Sequence, residues 1–356
     1  MDTTSECNVT KHKRWKAFRT SNLSGVSAGL ILVIVLIVLF IFSFVIGRYP
    51  VSPIDVVKTL WAAIFNLEIT LPPNVENVVI NLRLPRIIAA ILVGASLSVA
   101  GTSFQGLFRN PLVSPDILGV ASGAGFGAAL GIIISGHGLA IQALSFVGAL
   151  VAVGLSHFIS RVVKGNQTLG LILAGIAIGS LFNAFLSLMK YAADTTNQLP
   201  AITYWLMGSL NAVGKQDILM TGLPMLIGIT ILILMRWRLN VLAMGEEEAM
   251  ALGVNTDLLR GVVVVCCTVI TASAVCISGI IGWVGLVIPH IGRMLVGPCH
   301  RKLLPVSALL GAIFLLFIDN LCRVIAQVEI PIGILTAIIG VPFFLYLLAK
   351  GRRGWA

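Results

Sequence analysis

The sequence predicts an all-α polytopic membrane protein of about ten transmembrane helices. Three observations carry this. Charged residues are 11% of the chain and hydrophobic ones 58%, with a mean hydropathy of +1.02; a water-soluble domain carries about 25% charged residues. Runs such as 27–47 (SAGLILVIVLIVLFIFSFVIG) hold no charge and have the roughly 20 residues that cross about 30 Å of hydrocarbon. The 36 glycines suit helices that pack closely in lipid.

The elements follow in order. Residues 1–26 form a basic tail with Lys11, Lys13, Arg14, Lys16 and Arg19. The apolar stretch that follows is longer than a signal-peptide core and lacks a small-residue cleavage site, so it reads as a retained first span. Spans are expected at 27–47, 86–107, 117–134, 139–160, 169–189, 218–235, 260–278, 281–295, 303–324 and 332–349, within a membrane domain of residues 27–350 followed by a short tail, 351–356. The run 261–292 is long for one span and short for two; Gly279 and Gly282 offer a turn. Charge placement decides for two. Fusing them would move Arg293, Arg301, Lys302, Lys350, Arg352 and Arg353 away from the basic side and bring only Arg323 to it. Ten spans put both termini in the cytoplasm, which also explains the net charge of +10 without nucleic acid.

Between spans, 48–82 opens with Ser52-Pro53-Ile54-Asp55, an N-cap, an N1 proline and a first-turn acid for a short helix. Residues 190–217 are also polar with helical stretches. Both are read as external surface. On the other side, 236–259 contains MGEEEAMALGV (244–254). Glu246, Glu247 and Glu248 fit a first helical turn, Ala249, Met250 and Leu252 offer an apolar face, and Gly245 and Gly253 bracket the segment. By spacing alone, a solvated loop and a partner-facing helix fit equally.

Other motifs carry less. Gly123-Ala-Gly125-Phe-Gly127-Ala128 matches G-x-G-x-x-A but lies in a span without a βαβ unit; with Gly119 it reads as helix packing. Gly208–Gln216 fails as a phosphate loop in glycine spacing and in lacking the Ser/Thr after Lys215. Ser114, Pro115 and Asp116 form a helix start. Pro85 suits another, with Arg83 and Arg86 at its mouth either snorkelling or waiting for carboxylates. Asp319 and Arg323 have i, i+4 spacing for an intrahelical ion pair, with too few acids along the spans for a proton relay. The cysteines read as small apolar residues, and the five histidines lack metal-ligand spacing. No catalytic constellation, metal site or cofactor site is expected, so a membrane hydrolase is disfavoured; a proton- or sodium-coupled secondary transporter remains the competing class.

RLPRIIAAILVGASLSVAGTSFQGLFRNPLVSPDILGVASGAG (83–125), YWLMGSL (204–210), GIIGWVGLVIPHIGRMLVG (279–297) and EIPIGILTAIIGVPFFLYLLAK (329–350) together resemble the permease subunits of ABC importers for iron–siderophores, haem and cobalamin. The resemblance runs in order from about residue 50 to the end. It implies a type II importer fold and no enzymatic activity in this chain. It implies partners too: two ATP-binding cassette ATPase subunits, an extracytoplasmic substrate-binding protein, and a second permease subunit, expected to be an identical copy, in the lipid of the inner membrane. It also assigns Gly245, Glu246, Glu247, Glu248, Ala249, Met250, Leu252 and Gly253 to coupling with the ATPase, and Arg83, Arg86 and Arg323 to docking of the binding protein. The fifth and tenth spans would line the path, with the third contributing. The cargo expected from family frequency is a ferric siderophore or similar iron chelate, with cobalamin, haem and molybdate-type oxyanions as alternatives.

Overall fold

A computed structural model describes residues 25–47, 49–65, 72–162 and 167–351. The expected tails, apart from residues 25, 26 and 351, lie outside the described residues. The described chain is helical: α1 (Gly25–Val45), α2 (Pro53–Phe65), α3 (Pro73–Glu76), a π segment (Asn77–Arg83), α4 (Leu84–Leu107), a 3-10 turn (Pro115–Leu118), α5 (Val120–Ile134), α6 (Gly138–Val162), α7 (Gln167–Ala192), α8 (Gln198–Leu206), α9 (Lys215–Leu234), α10 (Arg236–Leu242), α11 (Glu246–Ala251), α12 (Thr256–Ser278), α13 (Val284–Val296), α14 (His300–Val324) and α15 (Ile332–Gly351). Ten of these are the apolar helices expected. Seven are long enough to cross a membrane, and shorter ones occupy Val120–Ile134, Val284–Val296 and Ile332–Leu347.

Lipid offers no hydrogen-bond partners, so each apolar run closes its backbone on itself as a helix. What differs between the helices is what covers them. The α4 and α12 windows are 78% buried inside the chain and α1 only 17%, so α4 and α12 form the centre and α1 the rim. Around α4 stand α9, α12, α13 and α14. One close approach is at Gly94 and Gly311, where a Cβ on either would overlap the backbone carbonyl of the other. Gly123 of α5 and Gly148 of α6 meet in the same reciprocal way, so the G-x-G-x-x-A stretch is packing surface. Gly119, which the sequence pattern joined to it, stands outside the helix at φ 83°.

Three expectations need correcting. The second span does not start at Pro85: helix runs from Asn74 to Leu107. Proline has no N–H to give an α-helix, but the preceding turn is wide, with Leu84 N–H donating to Val79 O five residues back, so the helix passes through. The third span begins at Val120, after a 3-10 turn started by Pro115 and ended by Gly119. Cys266, Cys267, Cys276 and Cys322 are buried free thiols as expected, but Cys299 is disulfide-bonded. The turn expected near Gly279 and Gly282 is present: residues 279–283 separate α12 from α13, with Trp283 at φ 71°. At 13 residues α13 is too short to span hydrocarbon alone, and it packs against α4 and α14.

Candidate functional site

Three places gather chemistry-bearing residues: the α11 face, the opposite face, and the exposed side of α7.

On the first, α10, α11 and the start of α12 fold into a compact corner. Gly245 precedes α11 and accepts the Ala249 N–H at 3.1 Å. Glu246, Glu247 and Glu248 occupy the first turn, against the positive end of the helix dipole. The helix ends in a Schellman motif: Gly253 N–H donates to Met250 O (2.9 Å) and Val254 N–H to Ala249 O (3.0 Å), with Gly253 at φ 77°. The apolar residues do not share one face. Ala249 is fully buried, whereas Met250 and Leu252 are 56% and 58% exposed. The helix is therefore anchored by Ala249 and presents two large apolar side chains outward. Arg260 of α12 ties the corner together, pairing with Glu246 and lying 3.4 Å from Asp257. Beside it opens a groove of about 780 Å³, lined among others by Phe108, Arg109, Thr168 and the three glutamates.

At the other end of the bundle the three arginines assigned to docking are 6–8% exposed. Arg86 Nε donates to Asp319 Oδ1 (2.9 Å), and its NH1 reaches Glu329 Oε2 (2.9 Å) and Asn211 Oδ1 (3.4 Å). Arg323 pairs with Asp319 Oδ2, as the i, i+4 spacing predicts, and its NH1 donates to Ser43 O (3.3 Å). Arg83 donates to the carbonyls of Phe44 and Tyr49. Asp319 has no exposed surface. Charges this deep are kept in pairs, because an unpaired one would be expensive in low dielectric. The structure thus brings the three arginines together but turns them inward onto α1, α14 and the loop before α15. That loop is fixed further by Ile332 N–H on Gly208 O (2.9 Å) and Gly333 N–H on Met207 O (3.1 Å). Sequence reasoning missed Asn211 and Ser43 as partners, and gave Glu329 no role beyond opening the stretch 329–350.

The third place was not numbered from the sequence. On α7 the residues Ala177, Ser180, Asn183, Ala184, Ser187 and Tyr191 are exposed. At 100° per residue they form one stripe along the helix, which the exposed Leu173 and Ile176 share. Ser180 and Ser187 donate to Ile176 O and Asn183 O, each at 2.9 Å, which leaves their oxygen lone pairs outward. Polar side chains in a span are expensive against lipid and face water or protein instead. The i, i+3, i+7 spacing of Ser180, Asn183 and Ser187 was the available signal.

The model of the FecCD transport family matches residues 35–350. The molybdate import system permease protein MolB of Haemophilus influenzae is 44% identical over 328 residues, 91% of this chain and 95% of that protein. The Fe(3+)-citrate import system permease protein YfmE of Bacillus subtilis is 39% identical over 330 residues, 91% and 95% of the two chains. Among solved structures, a metal-chelate type ABC transporter in an inward-facing conformation superposes with a TM-score of 0.81 at 39% identity, covering 90% of this chain and 98% of that one.

Proposed function

The chain belongs to the FecCD transport family and is the non-catalytic permease of an ABC importer; from that premise we propose that it imports a molybdate-type oxyanion along a path that includes the α7 stripe. The observation that carries the path is the row Ser180, Asn183, Ser187 on an otherwise apolar spanning helix. Hydroxyl and amide groups can pass an anion along without trapping it, which a fixed positive charge would do. The 44% identity to the molybdate permease over nearly the whole of both chains supports the oxyanion. A ferric chelate is the second reading. It is the cargo expected from the sequence, and the relative for ferric citrate and the metal-chelate type structure favour it.

In this proposal the α11 face is cytoplasmic and both termini lie there. Residues 245–253 seat in a cleft of the ATPase subunit through exposed Met250 and Leu252, and closure of the ATPase pair on ATP moves α11 against α12 through Glu246 and Arg260. Two copies of the chain flank one central path. The binding protein docks on the opposite face near Arg83, Arg86 and Arg323. Because those arginines are engaged within the chain, docking through them requires an acidic group of the binding protein to compete with Glu329, the most exposed acid of the cluster.

The test is uptake by a strain lacking this gene, supplied in parallel with labelled molybdate, ferric citrate and a ferric siderophore. Loss of molybdate uptake alone, restored by the gene and blocked by vanadate, is the expected result. Loss of an iron chelate alone establishes the second reading. Uptake that persists under vanadate overturns ATP-driven import.

A further inference from the structure

A second groove, of about 460 Å³, lies on the α11 side of the molecule between the end of α6 and the start of α12. It is lined by Arg161, Asp257, Leu258, Gly261, Val262, Val265 and Cys266. Its wall is apolar: Leu258 and Val265 are 60% and 61% exposed, and nothing lies within 4 Å of where a Gly261 side chain would begin. Its mouth is charged. Asp257 faces Arg260 at 3.4 Å, so its charge is countered within the chain. Arg161, in the last turn of α6, is exposed and has no ion-pair partner among the described residues.

An apolar trough that runs from a helix end into the membrane, with an uncompensated guanidinium at the mouth, has the chemistry of an anionic phospholipid. Hydrocarbon fits the trough, and a phosphate can take two parallel hydrogen bonds from one arginine. We propose that this groove binds one anionic phospholipid, with its phosphate on Arg161 and an acyl chain along Leu258, Gly261, Val262 and Val265. The site adjoins the coupling corner, because Asp257 shares Arg260 with Glu246. A lipid held there bears on the segment that moves with α11. The inference needs neither the cargo nor the orientation proposed above.

The experiment uses the full-length protein in nanodiscs of mixed phosphatidylglycerol and phosphatidylcholine, released for native mass spectrometry. The wild type is expected to retain phosphatidylglycerol preferentially. Arg161→Gln, which breaks no ion pair among the described residues, is expected to lower that preference about five-fold, the effect of one surface cation on an anionic lipid. Gly261→Leu, placed in open space, is expected to lower retention of both lipids. Equal lipid preference in wild type and Arg161→Gln overturns the proposal. So does displacement of the lipid by inorganic phosphate, which would make the site one for free anions. Disulfide-linked dimers of Val265→Cys in membranes, absent from wild type, would assign the groove to a second copy and also overturn it.

Discussion

Arg86 Nε lies 2.9 Å from Asp319 Oδ1, joining α4 to α14 across 233 positions of sequence. Asp319 shares its other oxygen with Arg323, so a single buried carboxylate holds two guanidinium groups. Removing it leaves both cations buried without their main counter-charge. Asp319→Asn is therefore expected to destabilise the protein by about 3–5 kcal/mol, the usual cost of breaking a buried pair from one side. Thermal unfolding in detergent, followed by size-exclusion fluorescence, measures this; a variant as stable as wild type would mean that water already reaches the cluster.

Glu329 differs from Asp319 in being partly open, with 22% of its side chain exposed. Glu329→Gln keeps the shape and removes one competitor for Arg86. If the binding protein uses Arg86, its docking tightens in this variant by about two- to five-fold, the range of a solvent-accessible ion pair. The gain should shrink in high salt. Docking that is unchanged at low salt rejects Arg86 as a contact.

Met250 and Leu252 supply the exposed apolar surface of α11, while Ala249 anchors it. Met250→Asp with Leu252→Asp should leave the protein folded and in the membrane, because neither side chain is buried. Co-purification of the ATPase should fall at least ten-fold, consistent with loss of two apolar contacts of about 1–2 kcal/mol each. Undiminished co-purification would remove α11 from the interface.

Local signals were legible in the sequence and distant ones were not. Three acids followed by glycine at a fixed offset fit a short helix with a glycine stop, as α11 has, because dipole and cap act within one turn, though by spacing alone they fit a solvated loop equally. Asp319 and Arg323 are legible for the same reason. The partners of Arg86 lie 125, 233 and 243 positions away, and nothing local distinguishes an arginine that reaches outward from one that folds inward onto them. Pro85 misled because a proline reads as a helix start unless the preceding turn widens. The two exposed apolar side chains of α11 were misread as one face with Ala249, since six helical residues are too few for periodicity to fix a face. The α7 stripe was present as Ser180, Asn183 and Ser187 but was hidden by the high hydropathy of the span around it.

That stripe carries the last prediction. Asn183 sits on the exposed side of α7, and its amide has no intrachain partner among the described residues. Replacing it with leucine should not disturb the fold, since no buried bond is lost and an apolar residue suits a spanning helix. If the stripe lines the path, Asn183→Leu removes a polar waypoint midway along it, and uptake should fall about ten-fold, as expected when one hydrogen bond of about 1.4 kcal/mol is lost at the barrier. Stimulation of the ATPase by binding protein should stay near wild type, because α11 and the opposite face are untouched. The split between the two readouts is the point of the experiment. Loss of both would make Asn183 a packing residue between subunits, and loss of neither would place the path elsewhere.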